Sequence, residues 1–282
     1  MNTTLGAVVG TLEAAYPLAW AEDWDRVGLV LGERSAEVRR VLLAVDPTVS
    51  VSREAVERDA QLLVTHHPLL LRGASFLPAD DGKGAVVTEL IRAGIGLWCG
   101  HTNVDRSTRG TVGAWITALD LQDLRPLIPG RETGEAARAA HGSTLFGLGA
   151  VGELPAPTTV AELTAQIAGI VPATARGIAH TGPADRPVRT VAVCPGAGDS
   201  FLGAATASGA DVYITSDLRH HPALEHIEDA AEPSAVPALI DVAHAASEAL
   251  WLPLAKELLA ETVPELEVLI SEVPTDPWTG RA

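Results

Sequence analysis

The chain has 282 residues, 47% of them hydrophobic but only 4% aromatic, so it can bury one large core or two smaller ones built mainly from Val, Leu, Ile and Ala. Its formal charge is −16 and no Lys/Arg cluster relieves it, which argues against binding a nucleic-acid backbone by counterion release and against anionic membranes. Bound divalent cations can still invert the charge of a single cleft, so nucleotides stay within reach. Cys99 and Cys194 stand far apart without a CxxC pattern and read as two reduced core thiols.

The first twenty residues, MNTTLGAVVGTLEAAYPLAW, carry an apolar stripe but no Lys or Arg before Arg26, so the positive region of a signal peptide is missing. No stretch approaches the ~20 apolar residues of a membrane span. A soluble, cytoplasmic protein is expected. Thr3 and Thr4 can cap a helix in which Leu5, Val8, Val9 and Leu12 recur at helical spacing, and Tyr16-Pro17 stops it. Strand-like runs follow at RVLLAVD (40–46), QLLVT (61–65) and GIGLWCG (94–100), separated by the helix-like SREAVERDA and GAVVTELIRAG. The stretch from about 121 to 187 is less regular: GRETGEAARAAHGS reads as a loop or short helix, and LFGLGAVGELPAP as a strand and turn before the helix TTVAELTAQIAG. Alternation resumes with RTVAVC (189–194), ADVYITS (210–216) and PALIDV (237–242), then a helix over 244–261 and a last strand, ELEVLIS. Strands alternating with helices predict an α/β fold with mostly parallel strands.

The two ends repeat one pattern. VLLAVD, a helix, QLLVT and His66-His67 are followed by LWCGHTNVD, which gives His101 and Asp105; TVAVC, a helix, DVYITS and His220-His221 are followed by LIDVAHAASE, which gives His244 and Glu248. Two related lobes are expected, with the metal site in the cleft between them: a first α/β lobe over 1–125, an irregular connecting segment over 126–187, and a second lobe over 188–282 that completes the site. Open α/β sheets place functional groups at the carboxyl ends of their strands. His66, His67, Asp105, His244 and Glu248 all fall just past such ends. Three imidazoles and two carboxylates are ligands for zinc, iron, manganese or nickel, and enough for two ions if one carboxylate bridges. His244 and Glu248, four apart, share one face of a helix. Any one of these histidines taken singly reads as a packed or surface side chain; the set together reads as a metal site.

WDRVGLVLG (24–32), LLVTHHPLL (62–70), HTNVD (101–105), GLGAVGELP (147–155), GADVYITSDLRHH (209–221) and LIDVAHAASEAL (239–250) occur in this order. Together they resemble the GTP cyclohydrolase 1 type 2 homologues, the Nif-three-like proteins with a dinuclear metal centre. The resemblance spans nearly the whole chain and rests on the combination of THHP, HTNxD and HxxxE. It implies two related α/β lobes, a toroidal homohexamer, and two divalent metal ions per subunit held by His66, His67, Asp105, His244 and Glu248, with Glu248 as the bridge. The sequence departs from the family pattern at Arg26, where WDN has Asn, and at RGTVGAW, which replaces GGVNDAL. These departures touch substrate preference and leave the five ligand positions intact.

His101 and His221 are candidate catalytic imidazoles for general acid or base work, against the plainer reading of packed or surface histidines. Thr65 and Asn103 are weaker candidates for hydrogen bonds to ligands. The glycine-rich CPGAGDSFLGAA (194–205) lacks both GxGxxG and GK[ST] and reads as a tight strand-to-helix turn. The leading expectation is a metal-dependent hydrolase of a nucleotide-like or phosphorylated small molecule, with opening of the guanine imidazole ring of GTP as its specific version. The alternative is a non-catalytic metal-binding ring that stores or delivers metal or scaffolds protein partners.

Overall fold

A computed structural model describes residues 3–130, 147–230, 232 and 235–282; the predicted loop or short helix GRETGEAARAAHGS lies almost wholly outside them. The chain divides into two compact units, each discontinuous in sequence: residues 1–104 with 251–275, and 105–250 with 276–282. In chain order the strands are β1 (Gly28–Leu31), β2 (Arg40–Ala44), β3 (Leu62–Thr65), β4 (Gly96–Cys99), β5 (Gln122–Pro129), β6 (Gly147–Thr159), β7 (Ala179–His180), β8 (Pro187–Ala197), β9 (Val212–Ser216), β10 (Ala238–Asp241) and β11 (Glu267–Ile270).

The first unit is built on a five-stranded sheet, β1-β4-β3-β2-β11, in which only β1 runs antiparallel to its neighbour. Leu42, Leu63 and Leu97 pack on one face against Val51 and Ala55 of the helix Val49–Glu57 and Val86 and Leu90 of the helix Gly82–Ala93. Every residue of β3 and β4 is buried, the mark of a parallel sheet covered on both faces. Tyr16, at the end of the first helix Leu5–Ala15, meets Trp98 and Trp251 with ring centroids 6.4 and 6.0 Å apart, and its hydroxyl accepts from the Trp251 indole at 3.1 Å. The predicted cap is present, with the Thr4 hydroxyl accepting from the amide of Ala7.

The second unit carries a six-stranded sheet, β5-β6-β8-β9-β10-β7. Here β8, β9 and β10 are parallel, while β5, β6 and β7 enter antiparallel, so the sheet is mixed rather than mostly parallel. Alternate residues sort by face: Val191, Val193, Val212, Ile214 and Ile240 face Trp115, Leu163 and Ile167, whereas Ala192, Cys194, Tyr213 and Leu239 face Leu202 and Ala205.

The repeat is visible in the topology. The parallel trio β2-β3-β4 ends against antiparallel β1, and the trio β8-β9-β10 ends against antiparallel β7. Unit boundaries, however, do not follow residues 125 and 187. The stretch 126–187 contains β6, thirteen residues long, and a helix Val160–Ile170 closed by a capping box of Thr159 and Glu162. The helix expected over 244–261 is two, His244–Ala249 and Trp251–Thr262, with the unit boundary at the break; the second helix and β11 return to the first unit because β11 pairs in parallel with β2. Among the described residues no helix is long and apolar enough to cross a membrane.

Both cysteines are buried core thiols without a disulfide. Burial raises the Cys99 thiol well above its ordinary range, and burial together with the charges of Asp105 and Glu248 pushes Cys194 up to about 12. The thiolate is the reactive form, so native protein should resist alkylation at neutral pH and lose both thiols on unfolding in denaturant. A stoichiometric thiol titration with and without denaturant checks this, and rapid labelling of either cysteine in native buffer would contradict the burial described.

Candidate metal centre

In the first unit, β3 is apolar to its last residues because both faces of the sheet are covered, and the chain then turns at His66-His67. His66 is fully buried; its Nδ1 lies 2.9 Å from the carbonyl of Gly100, just past the end of neighbouring β4. His67 is half-buried, with Nδ1 2.7 Å from Asp46 Oδ1, and Asp46 lies just past the end of β2 and accepts from Thr275 on its other oxygen at 2.5 Å. His101 is half-buried beyond β4, with Nδ1 3.0 Å from Asp25 Oδ1. The three rings are mutual neighbours, with centroids 5.2, 5.2 and 5.7 Å apart, and each offers a ligand atom within 4.8 Å of the others.

An acceptor at Nδ1 keeps the proton there, which leaves the lone pair of a neutral imidazole on Nε2. A carbonyl or carboxylate behind a ring in this way both fixes the tautomer and raises the ring's basicity as a ligand. Asp25 itself is buried and saturated: besides His101 it accepts from the Arg26 amide at 2.7 Å, the Thr102 amide at 3.0 Å and the Thr102 hydroxyl at 2.5 Å. Burial alone would raise its carboxyl, but the hydrogen bond and charge of His101 and the donors of Thr102 outweigh it and hold the group well below the usual carboxylate range.

In the second unit, His244 opens its short helix and Glu248 follows one turn later; His244 Nε2 and Glu248 Oε1 are 3.0 Å apart. Again Nδ1 is held by a carboxylate, with Asp217 Oδ2 at 2.6 Å. Glu248 is buried, and the Trp115 indole donates to the carbonyl of Ser247 at 3.0 Å, which ties this helix to the core. Asp105 is half-buried and accepts from the hydroxyl of Thr111 at 2.5 Å. Gly196, at the carboxyl end of β8, lies against this pair: a Cβ there would sit 2.6 Å from Glu248 Oε1 and 3.4 Å from His244 Nε2, at a backbone φ of +75°. A side chain at this position would crowd the pair, and the imidazole and carboxylate donors fit a divalent transition metal.

The remaining sequence candidates divide. His101 joins His66 and His67. His221 stands exposed beside His220 in the first turn of the helix His220–Glu228 and belongs to neither donor group. The residue immediately past β9, the counterpart of His66 past β3, is Asp217, so the second lobe has an acid where the pattern HH suggested imidazole. Thr65 and Asn103 brace the loops: Thr65 donates to the His67 carbonyl, and Asn103 bridges the His101 amide and the Tyr16 carbonyl. Arg26 is exposed and its guanidinium returns to the carbonyls of Asp23 and Asp25, while Val112 packs in the core and Gly113 lies tight against Thr108. Sequence reasoning missed Asp25, Asp46 and Asp217; for Asp46 and Asp217 the available signal was an acid within two residues of a buried strand's end.

An α/β protein of two lobes, one presenting three imidazoles and the other a single one with a carboxylate beside it, is the class these features define. The profile of Duf34/NIF3 (NGG1p interacting factor 3) matches residues 3–277, and the chain belongs to that family. It is 44% identical to the GTP cyclohydrolase 1 type 2 homolog of Streptomyces coelicolor over 98% of this chain and 94% of that relative. Among solved structures it is similar to a Bacillus cereus protein related to NIF3, with a TM-score of 0.87 at 22% identity and 99% of each chain covered. A Staphylococcus aureus hypothetical protein matches with a TM-score of 0.84 at 26% identity, again over 99% of each chain.

Gly196→Ala is the sharp test of the second donor pair. The left-handed backbone should cost about 1–3 kcal/mol in urea unfolding, and the added methyl should displace the Glu248 carboxylate and lower metal uptake. A variant with full metal content would show that the space beside Oε1 is not needed.

Proposed function

We propose that the protein binds two divalent metal ions through His66, His67, Asp105, His244 and Glu248 and is a metal-dependent hydrolase of a nucleotide-like or phosphorylated small molecule. The observation that carries the metal reading is that His66 and His67 have Nδ1 occupied by a carbonyl and a carboxylate at 2.9 and 2.7 Å, which aims Nε2 as a ligand, while His244, held by Asp217 at 2.6 Å, brings Nε2 to 3.0 Å from Glu248 Oε1 as a paired donor set. Bound ions of this kind lower the pKa of water and polarise an electrophile. The chain's own groups supply the rest. His101, beside His66 and His67, is the imidazole placed to take or give a proton at Nε2. Asp46 keeps the His67 ring in one tautomer, Asp217 holds the His244 ring in place, and the exposed Trp24, whose ring lies 5.9 Å from that of His101, offers an aromatic wall for a planar substrate. A similar protein carries the name GTP cyclohydrolase 1 type 2 homolog, which makes ring opening of GTP the first substrate hypothesis. A cytoplasmic homohexamer, implied by the family resemblance, is part of the same proposal.

Metal content by plasma mass spectrometry on untagged protein, purified without chelator, is expected to give about two equivalents per chain. Glu248→Ala and His66→Ala should each lose most of it; if each variant loses only a separate share, the two donor sets hold separate ions. Essentially no metal after reloading with zinc, manganese or iron would sink the reading.

Metal-loaded protein incubated with GTP should release formate above the Glu248→Ala background. Full metal content with no turnover of GTP or of a panel of phosphorylated substrates would instead favour the storage or scaffold role.

A further inference from the structure

We infer that Asp25 is a positioning residue that sets the protonation pattern of His101, holding the proton on Nδ1 so that Nε2 presents its lone pair beside His66 and His67. This rests on the reading of His101 as a site residue and extends it to a residue on a separate loop. The carboxylate is built for the task. Its side chain is fully buried, and each oxygen has its own partners. Oδ2 takes the amide and hydroxyl of Thr102, and that hydroxyl is held in place by also accepting the amide of Glu22 at 2.9 Å. Oδ1 takes the Arg26 amide and faces His101 Nδ1. With four donors around it, Asp25 has no freedom to rotate away, and His101 meets a pure acceptor at Nδ1.

The arrangement makes a specific demand on Asp25→Asn, a substitution that preserves shape. At the Oδ2 position the amide and hydroxyl of Thr102 are both in place as donors, whereas at the Oδ1 position only the Arg26 amide is a fixed donor, since the His101 ring can exchange tautomers; this favours the amide oxygen at Oδ2. The NH2 group therefore turns toward His101 and becomes a donor where an acceptor stood. Nδ1 must then accept, the ring proton moves to Nε2, and the lone pair beside His66 and His67 is lost. A similar inversion of an orienting carboxylate in the serine-protease triad leaves geometry intact while the wrong tautomer removes activity.

Long-range proton–nitrogen NMR of the 15N-labelled full chain reads this directly, with His101→Gln used to assign the ring. At mildly alkaline pH, with zinc added or with chelator, the wild-type His101 Nδ1 should appear protonated. In Asp25→Asn the Nδ1 signal should move to the unprotonated region and Nε2 to the protonated one. A wild-type Nδ1 without a proton would overturn the inference without any need for the variant to fold. An Asp25→Asn chain that retains the native backbone spectrum and the wild-type ring pattern would overturn it as well. Metal content is measured separately, so a chain that takes up no metal defeats the metal reading while the ring spectrum still decides this one.

Discussion

A neutral imidazole has one proton and two nitrogens, and everything these sites can do follows from which nitrogen keeps it. In four histidines, His66, His67, His101 and His244, an acceptor lies 2.6–3.0 Å from Nδ1; in the first three it makes that choice, while His244 also faces Glu248 Oε1 at 3.0 Å across Nε2. Only one of the four acceptors is a backbone carbonyl; the others are carboxylates from Asp46, Asp25 and Asp217. A surface histidine meets water on both sides and exchanges tautomers freely, so the uniform engagement marks these rings as aimed rather than merely packed.

The sheets explain why the acceptors are where the imidazoles need them. Parallel neighbours β2, β3 and β4 end side by side, so residues just past each end, Asp46, His66-His67 and Gly100-His101, become neighbours in space although they are about twenty to thirty-five positions apart. The second trio, β8, β9 and β10, does the same with Gly196 at the end of β8 and Asp217 and His244 beyond β9 and β10. One topology thus serves two donor sets with different chemistry: two adjacent imidazoles past the middle strand in one lobe, a single orienting acid past the middle strand in the other. The duplication was legible in the sequence because hydrophobic runs and their order survive divergence. The equation of His220-His221 with His66-His67 did not hold in space. DVYITS ends at Ser216, and three further residues carry the chain into an exposed helix before the first of those histidines.

How far a sequence can be read depends on the range of the interaction. The strands of both trios, the first helix with its Thr4 cap and the ligand-type residues at strand ends are all local patterns, and they stand where the alternation put them. Discontinuous units are not local: the parallel pairing of β11 with β2 joins residues more than two hundred positions apart, and nothing in ELEVLIS names its neighbour. The same limit hid the orienting acids. Asp25, Asp46 and Asp217 look like ordinary loop carboxylates in a chain with 36 acidic residues, and only the fold shows which ring each one faces. The break at Leu250 did carry a local signal, Pro253, which has no amide to donate to the carbonyl of Ala249 and crowds it, so one helix cannot run unbroken through this stretch; that the second helix then joins the first unit was not local.

Buried charge supplies the last step. Asp25 tolerates burial because four donors surround it and its ionised form is favoured over the neutral one. Glu248 is buried to a similar degree, 2% exposed against 6%, but its neighbourhood differs: an imidazole nitrogen at 3.0 Å, a glycine with no side chain to crowd Oε1, and a thiol pushed up to about 12 by burial and by the charges of Asp105 and Glu248. A thiolate there would add negative charge beside the carboxylates of Asp105 and Glu248 in a buried place, so the thiol keeps its proton. A divalent ion bound there would offset the desolvation of the buried carboxylate and use the imidazole beside it, which a packed hydrophobic replacement could not do. The buried acid of Asp25 is a finished structural interaction; the buried acid of Glu248 has the surroundings of a ligand.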